Sequence, residues 1–260
     1  MHNSPYKLVV TDIDGTLVRY RTATETLADV DAFTPESARK AICNLQSAGI
    51  VVAGITGRTY DQSRDLLVSL GMTGPCVFAG GASVRNLPDG EVLYEASLDP
   101  HTVEIVCESL RRVLGENHIL ELAESASDST KHNSVWTYVD SARLKEVLAE
   151  LATIADIYFV AIPRKHTNQS GLVVRRGGID KGSGVRHLLS LLNMGREDVA
   201  CIGDGANDVP MFEACGLSIA MGNSEEILMQ SADHIVSSID QGGFAEAADY
   251  ILQGAPNPVE

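Results

Sequence analysis

Lys7-Leu-Val-Val-Thr11 runs directly into Asp12-Ile-Asp14-Gly-Thr-Leu17, an apolar run ended by a cluster of acid and glycine. A short apolar run without polar alternation reads as a strand buried on both faces, and the cluster as the loop it feeds. Downstream, Thr34-Pro35 offers a helix N-cap and a first-turn proline. Ala38, Ile42 and Leu45 then recur at helical spacing, and Gly49 supplies the stop. Ile50-Val-Val-Ala-Gly-Ile55 reads as a second buried strand, which completes a strand, helix, strand unit.

The same alternation continues outward. A helix is predicted from about Asp61 to Leu70, stopped by Gly71, followed by a strand at Cys76 to Ala79. Much later Asp180 caps a predicted helix through Leu192. Val199 to Ile202 reads as a strand, Met211 to Cys215 as helical and Leu217 to Ala220 as a strand. This is the pattern of an α/β fold with a Rossmann-like, doubly wound, mainly parallel sheet covered by helices on both faces. Ligands of such sheets bind beyond the carboxyl ends of the strands, at a switch in strand order.

Between Ser83 and Arg175 the texture changes. Val84-Arg-Asn86 and Glu91-Val-Leu-Tyr94 flank Leu87-Pro-Asp-Gly90, which has the turn chemistry of a hairpin. Asp99-Pro100 opens a helix through about Leu114, Val135 to Val139 is a strand, and Ser141 to about Ile154 is a helix. Strands follow at Ile157 to Ile162 and at Leu172 to Arg175. The expected organisation is a core domain of residues 1–82 and 176–260 with an inserted α+β domain at 83–175. Neither a fixed-period repeat nor a low-complexity tract is visible.

At 260 residues, with 44% hydrophobic and 21% charged side chains, the chain has the balance of a soluble globular protein. Its formal charge of −15 repels polyanions, which argues against nucleic-acid and membrane-surface partners. A phosphorylated ligand would therefore have to be met by local cations or a metal. Cys43, Cys76, Cys107, Cys201 and Cys215 are scattered and form no C-x-x-C pair, a usage that fits a reducing cytoplasm. No signal-peptide pattern and no membrane-length apolar stretch is seen, so a cytoplasmic location is expected. The sequence specifies no oligomeric state.

Four polar clusters fall at predicted strand ends or a helix start: Asp12-Ile-Asp14-Gly-Thr-Leu, Ile55-Thr56-Gly57-Arg58, Asp180-Lys181-Gly, and Gly203-Asp204-Gly-Ala-Asn207-Asp208. Each alone is ordinary turn or capping chemistry. Together, on a doubly wound sheet, they converge on one cleft and their chemistry is coherent. A carboxylate such as Asp12 can attack a phosphoryl group and form an acyl phosphate. Asp14 can protonate the leaving alcohol and then deprotonate the attacking water. Asp12, Asp204 and Asp208 would repel one another unless a cation sits between them, and their hard oxygens suit Mg²⁺. Thr56, the backbone N–H groups near Gly57 and Gly15, and Lys181 can meet phosphate oxygens.

These four clusters resemble motifs I to IV of the haloacid dehalogenase superfamily of phosphatases, along the whole chain. The resemblance implies Asp12 as nucleophile, Asp14 as acid/base and backbone-carbonyl metal ligand, Thr56 and Lys181 as phosphate binders, and Asp204 and Asp208 as metal-side acids. It also implies that Asn207 places phosphate or Lys181. The insert between motifs II and III is similar to that of the Cof-type, class IIB subfamily, whose members mostly hydrolyse sugar phosphates and related small monoesters. Ala220-Met-Gly-Asn223-Ser and Ser231-Ala-Asp233 resemble its C-terminal signature. One departure stands out: Gly80-Gly81-Ala82 replaces the Asn-Gly-Ala common at the core-to-cap junction.

The expected activity is thus Mg²⁺-dependent hydrolysis of a small phosphorylated metabolite. Alternatives are a phosphomutase using the same phospho-aspartate and a noncatalytic metabolite-binding protein on this scaffold. Arg58 is a candidate substrate contact because it adjoins motif II. His132, Trp136, Lys165, His166 and Asn168 are further candidates from the insert.

Overall fold

The computed structural model describes residues 4–254 except 23, 33 and 164–166. In chain order the first half comprises β1 (Leu8–Thr11), α1 (Leu27–Asp31), α2 (Glu36–Ser47), β2 (Val51–Gly54), α3 (Tyr60–Ser69), β3 (Gly74–Phe78), β4 (Ser83–Leu87) and β5 (Val92–Glu95). The insert continues with α4 (Pro100–Leu114), β6 (Glu121–Glu124), β7 (His132–Asp140), α5 (Ser141–Leu151), β8 (Ile157–Pro163) and β9 (Gln169–Arg176). The chain then returns through α6 (Lys181–Leu192), β10 (Val199–Gly203), α7 (Val209–Glu213), β11 (Leu217–Ala220), α8 (Glu226–Ser231), β12 (His234–Ile235) and α9 (Gly243–Leu252).

The main sheet is parallel, in the order β12-β11-β10-β1-β2, with Val9 opposite both Ala200 and Val52. Within it β1 lies between β10 and β2 and between two helical layers, which is why Leu8, Val9 and Val10 are fully buried. From β1 the chain steps to β2 on one side, whereas β10 lies on the other and leads away to β11. Right-handed crossovers put α2 and α7 on opposite faces. The reversal between β1 and β10 is the switch point, and Asp12 and Asp204 each follow one of these strands.

Local chemistry fixes the helix starts that matter to the site. Thr59 and Gln62 form a capping box at α3. Asp180 accepts the Ser183 N–H at 2.7 Å while Ser183 Oγ accepts the Asp180 N–H at 3.0 Å. Pro100 occupies the first turn of α4, capped by Asp99.

The insert forms a separate antiparallel sheet, β6-β7-β9-β8, and α4 and α5 cover one face of it. Val135, Val139, Leu172 and Val174 point to those helices. The period of two sends Trp136, Tyr138, Val173 and Arg175 to the other face. That face meets the core: Tyr138 accepts a hydrogen bond from Arg21 at 3.2 Å, and Arg175 abuts Gly80. The β4–β5 hairpin, by contrast, buries Val84 and Leu87 in the same apolar cluster as β1, while the separate insert cluster begins at Leu98.

Sequence reading did not anticipate α1, β6, α8, β12 or α9. The insert strand β6 is a mostly exposed Glu-Leu-Ala-Glu stretch, so no buried alternation announces it. No helix among the described residues is long and apolar enough to cross a membrane.

Candidate active site

Lys181 Nζ lies 2.7 Å from Asp12 Oδ2 and 2.6 Å from Asp208 Oδ1. The second oxygen of Asp208 accepts the N–H groups of Asp204 and Gly205, both at 3.0 Å. Asp12 Oδ1 accepts the Ile13 N–H at 2.7 Å. One oxygen from each of Asp12, Asp204 and Asp208 lies within 4.8 Å of the others, and all three residues are buried. Glycine permits this crowding: Gly15 has φ +86°, and a Cβ there would stand 2.0 Å from Asp204 Oδ2.

Burial pushes the Asp12 carboxyl up to about 7; Lys181 opposes that rise, while Asp208 and Asp14 add to it. Burial likewise lifts Asp204 well above the usual carboxylate range, reinforced by the charges of Asp12 and Asp208. Burial disfavours the charge on Lys181, but Asp12 and Asp208 outweigh it and hold the ammonium above its ordinary value. Three buried carboxylates against one ammonium leave excess negative charge, and Asp204 Oδ1 is buried without a hydrogen-bond partner among the described residues. An oxygen-seeking divalent cation such as Mg²⁺ fits that donor set.

Asp14 stands in a different environment. Its side chain is 28% exposed, and Arg58 grips it through two bonds, Nη2 to Oδ1 at 2.6 Å and Nε to Oδ2 at 2.9 Å. The remaining terminal nitrogen, Nη1, donates to both oxygens of Asp31, at 2.9 and 3.1 Å. Arg58 is itself buried, so both carboxylates serve as its counter-charge.

A family model described as haloacid dehalogenase-like hydrolase matches residues 9–123 and 111–247. The chain belongs to this family. Among similar proteins, a 5-amino-6-(5-phospho-D-ribitylamino)uracil phosphatase of Bacillus subtilis is 26% identical over 252 residues, covering 93% of this chain and 94% of the relative. A phosphoglycolate phosphatase of Metallosphaera sedula is 29% identical over 257 residues, covering 95% of this chain and 99% of the relative. A solved haloacid dehalogenase-like hydrolase from Bacteroides thetaiotaomicron superposes with a TM-score of 0.75 at 24% identity, over 95% of this chain and 99% of that one. A HAD subclass IIB sugar phosphatase shares the fold with a TM-score of 0.74 at 18% identity, over 94% and 98% of the two chains.

In this haloacid dehalogenase-like hydrolase the remaining motif residues are placed as follows. Thr56 is buried, and its Oγ1 accepts the Arg58 N–H at 3.1 Å. Gly57 is exposed, with nothing near the position a Cβ would take. Asn207 is half-buried beside Gly205. Among the described residues Lys181 is held by Asp12 and Asp208, not by Asn207; a carboxylate outcompetes an amide for a buried ammonium. The Arg58 guanidinium is occupied by Asp14 and Asp31.

Three residues complete the site without having been singled out for it. Asn223 Nδ2 donates to the Gly15 carbonyl at 2.9 Å and to Asp204 Oδ2 at 3.3 Å, while its Oδ1 accepts the Ile239 N–H at 2.8 Å. Tyr20 hydrogen-bonds Asp204, and burial together with that carboxylate raises its phenol above the ordinary range. Asp31 is the third. The signature stretch containing Asn223 was a usable signal, but nothing local marks Tyr20 or Asp31. Of the insert candidates, Trp136 packs edge-on to Tyr138 with ring centroids 4.2 Å apart. His132 Nδ1 is buried without a partner among the described residues, and the Asn168 carbonyl accepts the Ser141 N–H at 2.9 Å. Lys165 and His166 lie outside the described residues.

Proposed function

We propose that this hydrolase is a Mg²⁺-dependent phosphatase that cleaves a small phosphate monoester, a sugar phosphate or related metabolite, through a phospho-aspartate on Asp12. The observation that carries the reading is the contact chain from Asp12 through Lys181 to Asp208, with Asp204 alongside. The relatives named as phosphatases support the reaction class, and the subclass IIB sugar phosphatase with the same fold supports the kind of substrate.

In this mechanism an Asp12 oxygen attacks phosphorus and the leaving alkoxide takes its proton from Asp14. Asp14 then removes a proton from the water that hydrolyses the acyl phosphate. Arg58 sets the orientation of Asp14, so we assign Arg58 to positioning that acid rather than to the substrate. Lys181, the Thr56 hydroxyl, the Gly57 N–H and Asn207 meet the nonbridging oxygens as charge develops on them. Asp12, Asp204, Asp208 and the Asp14 backbone carbonyl would hold Mg²⁺, which when bound neutralises phosphoryl charge.

The cap that closes over this chemistry is the segment from Leu98 to Arg176. The hairpin from Ser83 to Glu95 is assigned to the core because its apolar side chains pack there.

Asp12→Asn abolishes Mg²⁺-supported phosphate release from a metabolite panel while leaving the circular dichroism spectrum and melting temperature of a folded protein. Turnover retained by this variant, or turnover surviving exhaustive chelation, would refute the assignment. An isomeric phosphate ester as product, in place of inorganic phosphate, would replace hydrolysis by phosphoryl transfer to an alcohol.

A further inference from the structure

Arg175, at the end of β9, is 4% exposed, yet no hydrogen bond or ion pair to it exists among the described residues, and its Nε is completely buried without a partner. A buried guanidinium with no hydrogen-bonded counter-charge is strongly unfavourable, and buried polar groups are almost always satisfied. The contrast with Arg58, which holds two carboxylates, is direct. Asp180 lies near enough for its charge to be felt, but its Oδ1 is committed to the Ser183 N–H. Burial pulls the Arg175 guanidinium down to about 10 against the opposing effects of Tyr158 and Asp180.

The seat of this side chain is built by Gly80. A Cβ on Gly80 would stand 2.3 Å from Arg175 Cζ and 2.3 Å from Nη2. The residue that departs from the usual junction asparagine is therefore what makes room for the guanidinium. Gly80 is also tied to the phosphoryl end of the site, because its N–H donates to the Thr56 carbonyl at 2.7 Å. Its neighbour Gly81 presses on motif III, where a Cβ would lie 2.0 Å from the carbonyl oxygen of Asp180, the residue before Lys181. Arg175 thus sits on the face of the cap sheet opposite α4 and α5, buried against the Gly80-Gly81 turn that contacts both the Thr56 and Lys181 elements. A phosphate ester bound between those elements would direct its alcohol portion toward this cap face.

We propose that Arg175 is a specificity-determining residue that receives a second anionic group, a carboxylate or a second phosphate, on the leaving-group portion of the substrate. The proposal rests on the phosphatase reading. A planar guanidinium with unclaimed N–H groups is matched to either oxyanion, and ligand binding supplies the hydrogen-bonded counter-charge that none of the described residues provides.

The test compares kcat/KM of the Mg²⁺-loaded enzyme for phosphoglycolate, ethane-1,2-diol bisphosphate and ethyl phosphate, which share a two-carbon frame. The expected wild-type result is a preference for one or both anionic esters over ethyl phosphate; which of the two is preferred separates carboxylate from phosphate. Arg175→Met lowers that preference about 10- to 100-fold, mostly through KM, as expected for loss of a charge-assisted pair. Gly80→Asn, which suits a positive φ, keeps Arg175 but blocks its seat and reproduces the loss. It also decides the matter should Arg175→Met fail to fold. Equal wild-type rates on all three esters, or a preference unchanged in folded Arg175→Met or Gly80→Asn, would overturn the role of Arg175 alone. A wild-type enzyme that releases phosphate from no ester would instead overturn the phosphatase reading.

Discussion

Replacing Glu95 by Gln tests the joint between core and cap. Glu95 ends β5, and its side chain is only 5% exposed. Oε1 accepts the Ala126 N–H at 3.0 Å and Asn133 Nδ2 at 2.9 Å. Oε2 accepts Ser125 Oγ at 2.7 Å, the Ser127 N–H at 3.1 Å and the Ser127 hydroxyl. Burial alone would raise this carboxyl, but the five donors more than offset it and hold Glu95 down to about 2, from an ordinary 4.5. At about 1.4 kcal/mol per pH unit, that depression corresponds to roughly 3 kcal/mol of folding stability. Because the folded value is depressed, the contribution is fully present above pH 4.5 and is lost as the pH falls through about 2. Glu95→Gln keeps the shape, removes the charge at every pH and turns an amide NH₂ toward groups that are already donors. Urea unfolding at pH 7 should show a deficit of roughly 3 kcal/mol, narrowing by about 2 kcal/mol at pH 3, where the wild type has given up much of the same stabilisation. A deficit below about 1 kcal/mol at pH 7, or one equal at the two pH values, would refute the reasoning.

Asp31→Asn removes the charge that braces Arg58, so kcat should fall about 10-fold with little change in KM, as expected for a slightly misplaced acid. The same substitution in an Asp14→Asn background should cost nothing further, and an additional loss there would disprove the route through Asp14. Asn223→Ala should weaken Mg²⁺ binding about 10- to 100-fold in titration calorimetry, because Asn223 clamps Asp204 to the Gly15 carbonyl; unchanged affinity would show the clamp to be irrelevant. Gly15→Ala should both lower the melting temperature and abolish turnover, since it adds strain of about 1–3 kcal/mol and drives a methyl into Asp204. A wild-type melting curve for that variant would contradict the predicted clash.

The parallel core was legible because its strands are apolar runs ended by glycine or acid: the predicted Leu217 to Ala220 strand is observed at those residues. The helix after Asp180 was equally legible from its cap. What escaped were elements with no buried stripe, such as β6, and elements too short to show a period, such as β12 and α1. The four motif clusters were readable because each concentrates several polar residues at a strand end or a helix start. Asp31, Tyr20 and Arg175 were not, because each earns its place through a partner far away in sequence. Asp31 meets Arg58, Tyr20 meets Asp204 and Arg175 meets Gly80. The Gly80 departure was visible in the sequence, but its consequence required seeing which guanidinium filled the space.

The two acids of Asp12-Ile-Asp14 show why residue type alone does not assign a role. They are two residues apart and chemically alike, yet the fold gives them different cations. Asp12, 8% exposed, faces Lys181 and the two acids of the β10 end, whereas Asp14, 28% exposed, faces Arg58. The bridge between Asp14 and Val18 turns the chain at that point and carries the second carboxylate away from the buried cluster. A nucleophile must stay next to phosphorus and to the positive charges that hold it there; an acid/base must reach both solvent water and the leaving alcohol. Pairs of carboxylates separated in this way by environment are what a two-step hydrolysis requires. On this reading, exchanging the two environments would disable the enzyme as surely as deleting either side chain. The Arg58 grip, sustained by Asp31, is what keeps them distinct.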